Sequence, residues 1–354
     1  MSMALSPIDW DRAERVALGI AARRHGPEHA QDPDPASIIL APTADVEAAI
    51  EAVTGLRPAH GAATVQFVER PAWIRANIES FRGLLAPLLD RWGSRMSSGA
   101  ASAVARQVAG AELGAMLGWM STRVLGQYDI LVGHQPPDDA VYMVATNLAS
   151  VERRYGFDPG EFRTWVLLHE LTHRAQFTGV PWMRGHFTGL VEQSLLFADP
   201  DMKAFTDAMK AALRNRSSAA AQVRDGGVMG LLAPPEQRAV MARIGGLMSL
   251  LEGHGDITMS RAAGDMVPNA ERFERILRER RRAANPLSKA IMRLAGVEAK
   301  LNQYAAGARF IAAIEEVGGP RAVDRCWIDA DHLPTLEEVR APSAWLARME
   351  PIVA

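Results

Sequence analysis

Apolar residues recur every three to four positions along most of the chain, the spacing that places side chains on one face of an α-helix. In the first half this pattern predicts helices over residues 9–24, 45–56, 71–92 and 101–125. Two shorter segments, 127–132 and 141–146, have the composition of β-strands and flank a turn at 134–139. The chain is therefore expected to be mainly α-helical, in the class α+β, with a small sheet.

The helical pattern continues in the second half of the chain. It predicts a helix between a cap at 158–161 and a stop at Gly179, and further helices over residues 189–213, 235–259 and 272–282. Helices are also expected from residue 285 onwards and after Thr335, where Glu338 would complete a capping box. A loop is expected at 180–186. Residues 215–235 mix Ser, Ala, Gly and Pro and are expected to form a mobile loop or lid. The arginine-rich helix 272–282 is expected to present a solvated face.

The segment 165–177, WVLLHELTHRAQF, is apolar nearly all round and so predicts a buried helix. The preceding residues 158–161, Asp-Pro-Gly-Glu, have the order of an N-cap, a first-turn proline and a capping-box glutamate. Gly179 and Pro181 supply a stop signal. Polar side chains on a buried helix must be hydrogen-bonded or must bind a ligand, which makes those of this segment candidates for chemistry.

Three of these polar residues, His169, Glu170 and His173, form the pattern H-E-x-x-H. Residues i and i+4 of a helix lie on one face about 6 Å apart along the axis, so both imidazoles can reach one Zn²⁺. Glu170 is too close to His169 along the helix to share the ion, but it is placed to act on water as a general base. The alternative is a pair of hydrogen-bonded core histidines.

A third ligand is expected near the end of the predicted helix 235–259. Glu252 and Asp256 stand four residues apart on one face of it. Glu252 would complete a two-His-one-Glu site, and Asp256 would accept a ring N–H from a ligand histidine. His254 points to roughly the opposite side and ranks lower. The alternative, a solvated helix face, is disfavoured by the neighbouring leucines and glycines, because they indicate close packing.

The segment HELTHRAQFTGVPW, followed by SLLEGHGD, resembles the zincin-like family of zinc-dependent metalloproteases, which is also labelled as associated with deazaflavin-cofactor biosynthesis. The order H-E-x-x-H then E-x-x-x-D is also similar to the gluzincin pattern. The resemblance covers nearly the whole chain. It implies a zincin-like metalloprotease fold, a small sheet beside the active-site helix, and zinc on His169, His173 and Glu252. It implies no particular substrate.

An edge strand beside the active-site helix pairs with extended substrate in zincin folds. Residues 141–147 are the candidate for that strand, and a purely structural hairpin is the alternative.

Composition limits the binding partners and the cellular compartment that we expect for this protein. A net charge of −2 gives no electrostatic reason to bind nucleic acid or an anionic membrane. The single cysteine, Cys326, excludes an intrachain disulfide framework and suits a reducing compartment. The N-terminal segment has acidic residues where a signal peptide needs an apolar core. The least charged long stretch, 106–123, contains Glu112 and is too short to cross a bilayer. A cytoplasmic protein is expected.

The length and the small residues bear on domain organisation. A chain of 354 residues is long enough for one large domain, and no change of composition forces two. A single domain over 1–354 is expected, in which a helical subdomain over residues 1–125 would precede a catalytic region over residues 126–354.

Gly110, Gly114 and Gly118 form a stripe on the predicted helix 101–125. The stripe predicts that another helix approaches closely, and the catalytic helix is one candidate.

The leading hypothesis for function is a zinc metallopeptidase acting on a peptide or small amide substrate. Glu170 would be its general base, and Tyr304 the first candidate for stabilising the oxyanion, followed by His254 and His186. Two alternatives keep the metal: a metal-binding regulatory or scaffold protein, and a hydrolase of a non-peptide amide. A third alternative, a helical interaction module without metal, would make the polar groups on both helices coincidental. The sequence does not predict the oligomeric state.

Overall fold

The structure is a computed structural model that describes residues 6, 8–23, 41–59, 61–93, 100–130, 139–196, 235–282 and 297–349. Its α-helices are α1 (Trp10–Arg23), α2 (Thr43–Thr54), α3 (Arg70–Gly93), α4 (Ala100–Ser121), α5 (Ala145–Tyr155), α6 (Pro159–Gly179), α7 (Met183–Leu196), α8 (Pro235–Ala262), α9 (Ala270–Arg282), α10 (Val297–Gly318), α11 (Leu336–Arg340) and α12 (Pro342–Met349). The strands β1 (Thr64–Val68), β2 (Gly126–Tyr128) and β3 (Ala140–Val144) form a small mixed sheet. The expected mainly helical fold with a small sheet is confirmed.

The helix that follows α6 begins earlier than expected. The segment predicted as a loop at 180–186 gives way to α7 at Met183, and the N–H of His186 donates to the carbonyl of Trp182 at 3.0 Å. Residues 197–213 of the predicted helix lie outside the described residues. So does the predicted loop or lid 215–235, except for Pro235, which begins α8.

Packing divides the chain into two compact units, one of residues 1–175 with 262–273 and one of residues 176–261 with 274–354. The single domain expected over 1–354, with its division at residue 125, stays a prediction. Within the described ranges, no helix combines the length and the apolar character that a membrane crossing requires.

In the first unit, β3 is the central strand of the sheet. It runs parallel to β1 and antiparallel to β2, with Tyr128 opposite Val141. The candidate edge strand 141–147 is therefore wrong, because β3 has a partner on both sides among the described strands. The hairpin alternative agrees with the antiparallel pairing of β2 and β3. Among the described strands, β1 and β2 are the two edge strands.

The strand predicted to continue to residue 146 ends at Val144 because a buried side chain anchors the next element. The Asn147 side-chain amide donates to the carbonyls of Ser121 and Val124 at 2.8 and 2.7 Å. Its oxygen accepts from Arg70 Nε at 2.8 Å. Those bonds satisfy a buried amide, and the chain turns from β3 directly into α5.

The glycine stripe on α4 receives α1. A Cβ added at Gly114 would lie 2.3 Å from the carbonyl oxygen of Ala13, and one at Gly110 would lie 2.3 Å from that of Asp9. The two helix backbones are thus in direct contact along the stripe, and Ala13 and Ala17 are fully buried there. Close approach by another helix is confirmed, and that helix is α1, not the catalytic helix.

In the second unit, α8 and α10 cross at two glycines. A Cβ at Gly253 would lie 2.3 Å from the carbonyl carbon of Gly307, and one at Gly307 would lie 1.8 Å from the carbonyl oxygen of Ser249. The expectation of close packing beside Glu252 is therefore confirmed at Gly253. Further along, Thr335 and Glu338 form both bonds of the expected capping box at the start of α11.

Candidate metal centre

The start of α6 is fixed by polar and aromatic contacts. Asp158 Oδ1 accepts from the N–H of Glu161 at 2.9 Å, so Asp158 is the N-cap. Glu161 binds the backbone N–H and side-chain amide of Asn269 with its carboxylate, at 3.0 and 3.1 Å, where the sequence predicted a capping-box bond. Phe162 packs against Phe273 with ring centroids 5.4 Å apart. These contacts set the register from which the downstream polar residues project.

A buried ion pair ties α6 to α5. Arg163 donates through Nε and Nη2 to the two carboxylate oxygens of Glu152 at 2.7 and 2.8 Å. Both side chains are about 5% exposed. Burial raises the pKa of Glu152, and Arg163 opposes that rise. The bidentate geometry fixes the angle between the two helices as well as their separation.

The two histidines of α6 bring their ring nitrogens together. The Nε2 atoms of His169 and His173 are 3.2 Å apart, and the rings meet edge to face at 84°. Two nitrogens bound tetrahedrally to zinc at about 2.0–2.1 Å would be about 3.3 Å apart. The observed separation fits that arrangement.

Glu252 completes a group of three possible ligands. One donor atom each from His169, His173 and Glu252 lies within 4.8 Å of the other two. The histidines are half-buried and Glu252 is 7% exposed. Two imidazoles and a carboxylate are a donor set that zinc accepts, so the residues present fit the ion that the sequence led us to expect.

Glu170 is held by the edge of the sheet. The backbone N–H of Tyr128 donates to Glu170 Oε2 at 2.8 Å. A Cβ added at Gly126 would lie 2.7 Å from Glu170 Cγ and 2.8 Å from Oε1. Glu170 is 6% exposed. The carboxylate therefore occupies a pocket formed by β2 and has a fixed orientation.

The strand that holds Glu170 is itself attached to α6. The hydroxyl of Tyr128 donates to Asp139 Oδ1 at 2.8 Å, and Arg174 Nε donates to Asp139 Oδ2 at 2.7 Å. Arg174 is 1% exposed and also pairs with Glu47 at 2.6 Å. A buried arginine satisfied by two carboxylates is a rigid anchor. It joins β2 to the helix one residue after His173.

His254 has an assigned tautomer. The side-chain amide of Gln176 donates to the carbonyl of Leu251 at 3.0 Å and lies 2.9 Å from His254 Nδ1. An amide N–H can only donate, so Nδ1 accepts, and a neutral His254 carries its proton on Nε2. The ring is buried and meets Trp327 edge to face, with centroids 5.1 Å apart.

The structure describes the other three predicted site residues to different extents. His186 is half-buried in α7, where burial, followed by the charge of Arg243, lowers its pKa and favours the neutral ring. Asp256 lies one turn after Glu252 on α8, and its role toward a ligand histidine stays a prediction. Tyr304 belongs to α10, but its side chain lies outside the described residues, so its role also stays a prediction.

Four residues that contact Glu170 or anchor the strand beside it are not singled out by the sequence: Gly126, Tyr128, Asp139 and Arg174. Only Gly126 carries a signal, since a glycine directly before a predicted strand often marks close approach by another group. The contacts of the other three join residues far apart in the chain, such as the 42 positions between Tyr128 and Glu170.

Comparison with known proteins identifies a family for the chain and a similar solved structure. The family model of zincin-like metallopeptidases matches residues 8–346. The crystal structure of a "putative hydrolase with a novel fold" from Chloroflexus aurantiacus is similar to the chain at 28% identity and a TM-score of 0.68. The match covers 97% of this chain and 99% of that one. No curated protein matches the chain.

Proposed function

This chain belongs to the zincin-like metallopeptidase family, and from that premise we propose that it is a zinc-dependent hydrolase that cleaves a peptide or a small amide with Glu170 as general base. One observation carries the proposal: donor atoms of His169, His173 and Glu252 converge within 4.8 Å. The family and the hydrolase-like neighbour support hydrolysis in general. Cleavage of a peptide or amide bond is the further step that we propose.

His169, His173 and Glu252 would hold the ion through three protein donors, the number that catalytic zinc sites use. Zinc, when bound, polarises the scissile carbonyl and lowers the pKa of a water molecule. His169 and His173 would ligate through Nε2, the atoms that approach each other. Glu252 would ligate through a carboxylate oxygen. We retain Asp256 as the acceptor that would fix the tautomer of a ligand histidine.

Glu170 would carry the proton transfers. Its carboxylate, whose Oε2 accepts from the N–H of Tyr128, would take the proton from the attacking water. The carboxylic acid would then deliver that proton to the nitrogen of the leaving amine, and the carboxylate would return to its ionised form. Burial of the side chain keeps bulk water from competing for the proton.

A donor for the developing oxyanion is also needed. Tyr304 remains the first candidate, with His254 and His186 behind it. A neutral His254 carries its proton on Nε2, because its Nδ1 accepts from Gln176. Removing one such donor costs about 2.7–4 kcal/mol of transition-state stabilisation in known hydrolases.

The test is a digest of a peptide library by the zinc-loaded protein and by its Glu170→Gln variant. The variant should keep its zinc and its fold while hydrolysis falls by about 10²–10⁴-fold, the usual contribution of a general base. Glu192→Gln, an exposed change on α7, is the control and should cleave normally. Equal cleavage by Glu170→Gln would refute the proposed mechanism.

Two alternatives keep the metal and change the chemistry. A hydrolase of a non-peptide amide would leave the peptide library intact but cleave simple acyl amides in a Glu170-dependent way. A regulatory or scaffold protein would bind zinc and cleave neither. Retention of Glu170 next to the ligands favours an enzyme, since a purely structural zinc site has no use for a general base.

A further inference from the structure

The outward edge of β2 is occupied by the proposed general base. The carbonyl of Leu125 and the N–H of Asp129 bond to β3, at 2.9 and 3.3 Å. Backbone groups alternate in direction along an antiparallel strand, so those of Gly126 and Tyr128 point away from the sheet. The Tyr128 N–H donates to Glu170 Oε2 in that direction.

We propose that Gly126 and Tyr128 are positioning residues for Glu170, an inference that rests on the proposed function of that residue. The Tyr128 N–H fixes one carboxylate oxygen. The missing side chain at position 126 leaves the space that Cγ and Oε1 of Glu170 fill, since a Cβ there would come within 2.8 Å of both. Together the two contacts restrict the rotation of the Glu170 carboxylate.

The attachment of Tyr128 at both ends makes this arrangement rigid. Its N–H binds Glu170, and its hydroxyl binds Asp139 at 2.8 Å. Asp139 accepts in turn from Arg174, which stands four residues after Glu170 on the same helix. The base and the anchor of its strand therefore belong to one helix, so β2 and Glu170 hold a fixed relation.

The kinetic test is Gly126→Ala. The backbone of Gly126 lies outside the positive-φ region, so alanine introduces no backbone strain of that kind. The three atoms nearest to the added Cβ all belong to Glu170. We expect kcat to fall about 10²-fold, as displacement of a catalytic group by about 1 Å does, with KM and zinc content nearly unchanged. Gly83→Ala, where an added Cβ meets nothing within 4 Å, is the matched control and should keep its kcat. A normal kcat in Gly126→Ala overturns the proposal.

A double-mutant cycle tests the contact by thermal stability. Gly126→Ala should lower the unfolding midpoint in the wild-type background and leave it unchanged in a Glu170→Ala background, where Cγ and the carboxylate are gone. An equal loss in both backgrounds would mean that the added methyl group meets something other than Glu170, and the proposal would fail.

A spectroscopic test needs neither activity nor a substrate. The chain has four tyrosines, so a sample labelled with ¹⁵N-tyrosine gives four backbone amide signals, and Tyr128→Phe identifies that of Tyr128 by its loss. We expect this signal to move upfield in Glu170→Gln, because a neutral amide is a weaker acceptor than a carboxylate. An unmoved signal overturns the proposal. If the signal moves and no hydrolysis is found with any substrate, the positioning contact stands and the proposed function fails.

Discussion

At the scale of single residues, the candidate centre separates groups that would bind the ion from groups that would orient them. Glu252 belongs to the first kind, since its carboxylate lies within 4.8 Å of the histidine nitrogens. We expect Glu252→Ala to lose nearly all zinc affinity and Asp256→Asn to lose only about 10–100-fold, the usual effect of a residue that supports a ligand. Competition with a chelating dye measures both. A larger loss in Asp256→Asn would reverse the two roles.

The sequence reveals site residues that lie close together along the chain. It does not reveal those that only the fold brings together. His169, Glu170 and His173 share one turn of one helix, so their spacing alone places them together. Gly126 and Tyr128 reach Glu170 only through the fold of the sheet edge. A contact of that kind leaves no periodic trace in the sequence. An edge strand does lie beside Glu170, but it is β2 and not the segment 141–147.

At the scale of elements, the ion pair between α5 and α6 controls how the metal-bearing helix is held. Glu152→Ala would leave Arg163 buried without this partner. We expect it to destabilise the protein by about 3–5 kcal/mol in urea unfolding. The exposed pair of Arg82 with Glu79 on α3 is the matched control, and Glu79→Ala should cost less than about 1 kcal/mol. Similar losses in the two variants would contradict the structural role of the buried pair.

The contact of α1 with α4 makes a second prediction at this scale. Alanine is a better helix former than glycine by about 1 kcal/mol, so Gly83→Ala, in open space on α3, should stabilise the protein. Gly114→Ala should instead destabilise it by about 1–3 kcal/mol, because its Cβ would meet the backbone of α1 at Ala13. Thermal unfolding measures both. Stabilisation by both substitutions would show that α1 does not pack closely against Gly114.

Some ends of helices and strands cannot be predicted from the local sequence. The periodicity places most helices within a few residues, because the buried faces are long and regular. Periodicity does not predict the end of an element where a single tertiary contact determines that end. The end of β3 depends on the Asn147 amide binding two carbonyls of the α4–β2 segment. The early start of α7 accompanies the bonds of the Trp182 indole N–H to the carbonyls of Trp327 and Ile328, both at 3.1 Å.

At the scale of the whole molecule, the sequence predicts which two helices a metal site would bring together. A two-His-one-Glu site needs a second helix that brings a carboxylate to the histidines, and that requirement points to Glu252 from the sequence alone. The close crossing of α8 with α10 at Gly253 and Gly307 is the packing that supports this helix, and only the presence of Gly253 hints at it.

Because the proposed ligands come from two separate helices, zinc should stabilise the folded chain as a whole. A ligand that binds only the folded state at 100 times its Kd adds about 2.7 kcal/mol to the free energy of unfolding. Removing the metal with a chelator should therefore lower the unfolding midpoint of the wild type, and adding zinc back should restore it. His173→Ala is the control that separates ligation from an effect of the chelator itself. Its midpoint should be lower and should not respond to chelator or zinc, since one of the two nitrogens 3.2 Å apart is gone. If that variant responds to zinc as the wild type does, His173 is not a ligand of the ion that stabilises the protein.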